Sequence, residues 1–266
     1  MNSNTQVLFL SHGGGPLPLL GDPGHAALVE RLREIAPGLR RPSAILVISA
    51  HWEAPVATVT GAANPELIYD YYGFPPESYE IRYPCPGQPA LADAVASAVA
   101  QAGIAVEVDT QRGLDHGVFV PLKIMYPAAS IPCVQLSLTG DLDAAAHLAL
   151  GQALRALEFE NLLVIGSGFS FHNMRAFAAR TPAALEHNRA FEAWLQETIA
   201  SPALTEAERE ARLRDWAQAP GARFCHPREE HLLPLHVCYG LAGRACDEAH
   251  SVPVLGYASS QFLWSR

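Results

Sequence analysis

The chain has 266 residues, 49% of them apolar, and a net charge of −9 from 18 basic and 27 acidic side chains. A chain this long buries enough surface to fold without disulfides or a structural metal, and no apolar run reaches the roughly 18 residues of a membrane span. The acidic balance argues against nucleic acid as a partner, and the first ten residues lack the basic start of a signal peptide.

Residues 7–10 read as a short buried strand, and 25–36 as a helix with Leu28, Leu32 and Ile35 on one face. Residues 44–48 predict a second buried strand and 56–60 a third. The stretch 65–89 is rich in Pro and Tyr and has little periodicity. It predicts a long ordered loop, a candidate lid or pocket wall. An Ala-rich helix follows over 88–102, then strands over 105–108 and 131–138. A helix over 141–157 has Asp near its start, as the helix dipole favours. Residues 162–165 form another buried strand, 182–199 and 205–218 two helices, a last helix starts near Glu229, and 257–263 is the final strand. Continuous apolar strands alternating with helices predict an α/β fold. We expect one domain over 1–266, three layers (α/β/α), with a mainly parallel or mixed central sheet.

Five cysteines, Cys85, Cys133, Cys225, Cys238 and Cys246, include no CxxC pair. They read as reduced thiols of a cytoplasmic protein rather than a disulfide frame or zinc ribbon. Eleven histidines stand against a single lysine, Lys123. His12, His51 and His172 each follow a predicted buried strand, at the edge where open α/β sheets bind ligands. Gly13, Gly14 and Gly15 after His12 allow close backbone approach. Trp52 and Glu53 after His51 offer an aromatic wall and a carboxylate that could orient an imidazole. His116 lies in the Gly-rich loop 113–117, and His231 at a helix start. His25, His147, His187 and His250 read as surface residues.

Familiar motifs fail by small margins. His12-Gly13-Gly14-Gly15 is like the oxyanion loop of esterases, and residues 168–172 approach a nucleophile elbow around Ser170. The last elbow position is His172 where a Gly belongs. Neither a dinucleotide fingerprint nor a zinc-peptidase helix is present. What remains is a metal held by histidines at the sheet edge, with other histidines free for proton transfer. Imidazole suits Fe, Zn, Cu and Ni alike.

Several short motifs occur in a fixed order: Ser11-His12-Gly13, Ile48-Ser49-Ala50-His51-Trp52, Leu114-Asp115-His116-Gly117, Met125-Tyr126-Pro127, Gly166-Ser167-Gly168 with His172-Asn173, and Glu230-His231-Leu232-Leu233-Pro234-Leu235. Together they resemble the class III extradiol ring-cleavage dioxygenases, the LigB-like superfamily, in the branch of DOPA 4,5-dioxygenase type. Tyr72-Gly73-Phe74-Pro75 and Tyr83-Pro84 with Pro86-Gly87 fit that branch. The resemblance implies a non-haem Fe(II) site that opens a catechol with O2; members are also found with zinc. It makes His12 and His51 metal ligands and puts the third ligand at His231, with Glu230 the alternative. His172 matches the active-site base and His116 a second histidine of the pocket. Phe169 stands where the branch usually has Asn, a change that would reshape the substrate pocket, and Arg175 or Arg228 could receive a substrate carboxylate. The expected partners are a small-molecule catechol and O2, with no nucleic acid and no membrane, and a homo-oligomer is left open. Two other functions compete: a hydrolase using Ser170 or a zinc-bound water, and a metal- or ligand-binding protein without turnover.

Overall fold

Every residue of the segment Gln6–Ser11 and of Leu162–Gly168 is buried. A strand covered on both faces must be apolar on both, so it shows no alternation. The computed structural model describes residues 5–265. Its strands are β1 (Gln6–Ser11), β2 (Ala44–Ala54), β3 (Ala57–Thr60), β4 (Val106–Asp109), β5 (Cys133–Thr139), β6 (Leu162–Gly168), β7 (Glu248–Val254) and β8 (Tyr257–Trp264). Its helices are α1 (Ala26–Gly38), α2 (Pro89–Gln101), α3 (His116–Met125), α4 (Ala144–Ala153), α5 (Met174–Ala178), α6 (Pro182–Ala200), α7 (Glu206–Arg214), α8 (Ala222–Cys225) and α9 (Leu233–Ala242).

The strands form one mixed sheet in the order β4-β3-β5-β2-β6-β1-β8-β7. Its centre is parallel: β5 with β2, β2 with β6, and β6 with β1. The flanks reverse direction, since β3 runs antiparallel to β5 and β8 antiparallel to β1. Helices α1 and α3 pack together, with α3 against β2 and β6, while α4 and α9 pack together, with α9 on β1, β2 and β6. The result is the three-layer α/β arrangement expected from the sequence. Among the described residues no helix is long and apolar enough to cross a membrane.

Four departures from the sequence reading matter for the site. First, β2 runs on to Ala54, so His51 lies on the strand rather than past its end. The pairing of β2 with β5 shifts register between Ile48 and Glu53, an irregularity of the kind that re-aims side chains. Second, His116 opens a helix. In α3 all residues except Lys123 are buried; a helix that is apolar all round has no amphipathic period to read, and Pro121 argues against one. Third, β7 is an edge strand holding Pro253, the place in a sheet where proline is tolerated. Fourth, His25 and His147 are fully buried, not on the surface. His25 Nδ1 pairs with Asp22 at 2.7 Å while Nε2 accepts from the Gly14 amide at 3.0 Å.

The segment before α2 is an ordered loop, as expected. Tyr69 and Tyr71 donate their hydroxyls to the carbonyls of Ile81 (2.6 Å) and Ser78 (2.5 Å), and Tyr83 donates to the Tyr126 carbonyl at 3.2 Å. An isolated bridge joins Leu67 to Leu114. These bonds close the loop on itself and dock it beside α3.

Behind the site, Glu192 of α6 is buried against Ser260 of β8, which donates its hydroxyl to the carboxylate. Burial pushes the Glu192 carboxyl up to about 7, although hydrogen bonds from Ser170 and Ser260 oppose the shift. Its ordinary value is 4.5, so the folded state holds a proton that the unfolded chain releases. Stability from this carboxyl is fully present below pH 4.5 and is lost as pH rises through about 7. The loss amounts to roughly 3 kcal/mol. Urea unfolding of Glu192→Gln should therefore show a flatter decline between pH 5 and 7 than the wild-type chain. Parallel declines would remove Glu192 as the cause.

Candidate metal centre

Five histidines converge where the parallel strands end. His12 follows β1, and its amide donates to the Gly168 carbonyl at 3.2 Å. The positive φ of Gly13, +82°, turns the chain sharply after it. His12 is 1% exposed. Ser167 donates its hydroxyl to the Gly117 carbonyl, so the contact of 3.1 Å between His12 Nδ1 and Ser167 Oγ has the imidazole as donor. That leaves a lone pair on His12 Nε2, which lies 3.0 Å from His51 Nε2.

His231 has the same arrangement. Its Nδ1–H donates to Glu230 Oε1 at 2.9 Å, leaving Nε2 free. The approach of this segment to the sheet depends on Gly168, where a Cβ would come within 2.2 Å of the His231 carbonyl. The Phe169 amide donates to that carbonyl at 2.9 Å. The rings of His12, His51 and His231 stand at centroid separations of 4.8, 4.9 and 5.3 Å, a nearly equilateral triangle.

His116 and His172 flank this triangle. The His116 ring packs 3.9 Å from that of His51, and its Nδ1–H donates to Asp70 Oδ1 at 2.9 Å. The same Asp70 oxygen accepts from the His116 amide. His172 stacks on His231 with centroids 3.4 Å apart and planes 13° from parallel. Its Nδ1 lies 3.3 Å from Glu230 Oε1, so one carboxylate oxygen faces both imidazoles. The remaining oxygen of Glu230 is 3.3 Å from Arg228, whose guanidinium also takes both oxygens of Glu53 at 2.6 Å.

The electrostatics keep His12, His51 and His231 neutral. Burial pushes His231 down to about 3, and the neighbouring His172 adds to the shift. Burial, then the surrounding histidines, also holds His12 and His51 well below the usual range. Burial alone would raise the Glu230 carboxyl, but hydrogen bonds from His172 and His231 outweigh it and hold Glu230 well below the usual carboxylate range.

Such a donor set fits a metal ion. Ligand atoms of His12, His51 and His116 lie within 4.8 Å of one another, as do those of His172, Glu230 and His231. The facing Nε2 atoms of His12 and His51, 3.0 Å apart, are close enough to share one ion. Neutral imidazoles with occupied outer nitrogens are the usual form of histidine ligands.

A cavity of about 470 Å³ opens over the histidines, walled by Gly13 to Gly15, Leu17, Asp70, Tyr71, Phe74, Phe169, Phe177 and Leu255. Phe169 is in this wall, where it was expected to shape the pocket. Trp52 is not: it is buried away from the cavity, with the Arg112 guanidinium 4.5 Å over its ring. Successive strand residues face opposite sides of a sheet, so the neighbour of His51 points away from it. Arg175 and Arg228 lie in an adjoining cavity rather than over the histidines. Ser170 is fully buried, accepts the Ser260 amide at 2.8 Å and faces Ser259 at 3.4 Å. Buried and outside the wall of the histidine cavity, it lacks the access of a nucleophile, which removes the serine-hydrolase alternative. Asp70 and Ser167, which hold the outer nitrogens of His116 and His12, were given no role by sequence reasoning. Asp70 is the lone carboxylate in the aromatic stretch 69–74, a signal that could have found it.

Residues 7–261 match the family described as the catalytic LigB subunit of aromatic ring-opening dioxygenase. The chain is 46% identical over 253 residues to Dioxygenase tasH of Hapsidospora irregularis, covering 89% of this chain and 78% of that protein. It is 38% identical to 4,5-DOPA dioxygenase extradiol of Beta vulgaris (90% and 87% covered) and 34% identical to the protein of that name from Escherichia coli K12 (94% and 89%). A crystal structure of an uncharacterized Escherichia coli K12 protein superposes with a TM-score of 0.74 at 29% identity, covering 97% of this chain and 99% of that one. The ordered motifs, the histidine-lined pocket and these likenesses agree: the chain belongs to the LigB family and is an extradiol, aromatic ring-opening dioxygenase.

Proposed function

We propose that His12, His51 and His231 hold the non-haem metal of this dioxygenase, that the metal is Fe(II) during turnover, and that the substrate is a catechol related to DOPA. The observation that carries this reading is the triangle of three imidazoles, each neutral, two with their outer nitrogens fixed by Ser167 and Glu230. The involvement of Glu230 with two imidazoles favours His231 over Glu230 as the third ligand. The hold of Asp70 on His116 and the place of His116 in the cavity wall support a pocket role for it. Zinc suits the same donors and is the metal we expect to compete in the isolated protein.

Bound there, the metal supplies Lewis acidity and open coordination positions for oxygen ligands. The chain supplies the rest. His172, with Nδ1 held toward Glu230, offers Nε2 to a catechol hydroxyl and takes its proton. His116, with Nδ1–H held by Asp70, turns its other nitrogen to the pocket and stabilises developing negative charge on oxygen. Tyr71, Phe74, Phe169 and Phe177 line the pocket with aromatic surface that seats the ring and excludes water. The five cysteines are unpaired, which supports a cytoplasmic setting.

Protein reconstituted anaerobically with Fe(II) should consume O2 in step with a coloured ring-opened product when given DOPA, protocatechuate or simple catechol. Absence of uptake with every catechol, at measured full iron occupancy, would falsify the substrate assignment. His172→Phe should lower turnover by about 10²–10⁴-fold with metal content unchanged; loss of metal would make His172 a ligand instead. Ser167→Ala frees the outer nitrogen of His12 and should weaken metal affinity about 10–100-fold, measured by competition with a chelator. Unaltered affinity would deny Ser167 that role.

A further inference from the structure

The histidine pocket does not end at its own walls. His172 and Met174 line it and also line a second cavity of about 770 Å³, whose sides include Asn173, Arg175, Thr181, Arg223 and Phe224. Each cavity alone falls in the range of about 300–1,000 Å³ that holds a drug-sized ligand. A catechol ring takes up only part of the first, and a ring substituent leaving past His172 and Met174 would enter the second.

The mouth of the histidine pocket is apolar and uncovered, and Met174 marks where it meets the second cavity. Tyr72 is 92% exposed and Met174 68%, the two most exposed large apolar side chains among the described residues, and both line the histidine pocket. Scattered apolar residues on a surface need no explanation, but these two share one mouth.

Beyond Met174 the second cavity holds three guanidiniums, two of them ion-paired. Arg223 pairs with Glu229 at 2.5 Å and lies over Trp216. Arg228 is taken by Glu53 and Glu230. The Arg175 guanidinium alone of the three has no acidic or hydrogen-bond partner among the described residues. A guanidinium presents a planar fork of donors that matches a carboxylate.

We propose that the substrate is a catechol with a long ring substituent, apolar where it passes Met174 and ending in a carboxylate that Arg175 binds in the second cavity. This rests on the catechol reading for what occupies the histidine pocket, and adds the subsite that selects among catechols.

The test is anaerobic titration calorimetry of the metal-loaded protein with three probes: a catechol bearing a six-carbon chain with a terminal carboxylate, its methyl ester, and catechol itself. The acid should bind about tenfold more tightly than the ester, as one charge-assisted pair allows. Arg175→Gln should erase the difference between acid and ester, and Arg175→Lys should keep part of it. Equal affinities of acid and ester in the wild-type protein, or an acid preference that survives in Arg175→Gln, overturns the assignment. Oxygen uptake with plain catechol separates the two levels. Uptake without an acid preference removes the chamber and leaves the ring-opening reading; an acid preference without uptake keeps Arg175 as the anion subsite and removes the catechol.

Discussion

The site depends on fixing the outer nitrogen of buried imidazoles. A neutral imidazole has one donor and one acceptor nitrogen, and the tautomer follows from whatever the outer nitrogen meets. Ser167 meets His12, Glu230 meets His231 and Asp70 meets His116, each taking an N–H. The inner nitrogens are thereby left with lone pairs. At His12 and His231 burial also disfavours protonation, so their lone pairs stay available at neutral pH. Geometry and desolvation act in the same direction here, which is what preorganisation requires.

The sheet supplies the partners by register. In β6, Ser167 sits opposite Leu10 of β1 and Ser49 of β2, so two buried hydroxyls lie side by side at the strand ends. Ser49 donates to Asp115 at 2.7 Å and accepts the His51 amide at 3.2 Å. Asp115 also meets Gln135 of β5 and Arg112. This carboxylate therefore joins β2, β5 and the start of α3, and sets where His116 begins. The backbones must approach closely for that to work. A Cβ on Gly117 would stand 2.3 Å from Ser49 Oγ, as one on Gly168 would strike the His231 carbonyl. The glycines of motifs that look like loop filler in the sequence are contact points between elements.

The sequence made the strand ends legible because apolar runs stop abruptly at Ser11-His12 and at Ser167-Gly168. The convergence of His12, His51, His116, His172 and His231 followed from that alignment and from the ordered motifs. What escaped has specific physical reasons. Helix α3 is uniformly apolar and holds a proline, so periodicity had nothing to detect. His51 sits on an irregular strand, and alternation sends Trp52 to the other face. Asp70 comes from a loop whose path is set by tyrosine hydroxyls bonding to carbonyls, a tertiary fact with no local code. His25 and His147 are buried because each satisfies both ring nitrogens locally, His147 with the Asp143 carbonyl and the Thr139 amide, and spacing alone carries no sign of such pairing.

The position of Glu230 has an electrostatic consequence for the proposed ligand set. Three neutral imidazoles would leave the charge of a bound divalent ion uncancelled, whereas a carboxylate ligand would cancel half of it. Glu230 instead stands behind His231 and His172, with Arg228 on its far oxygen. Its charge is shared among two N–H donors and a guanidinium, so little of it reaches the pocket. Asp70 lines that pocket, and a bound divalent metal would outweigh its charge, so the site would favour anionic ligands, as a cleft of one sign with low-dielectric walls does. A deprotonated catechol gains most from such a site. The unpaired guanidinium of Arg175 beyond the rim extends the same field outward, so the head and the tail of an anionic catechol would be drawn along one path.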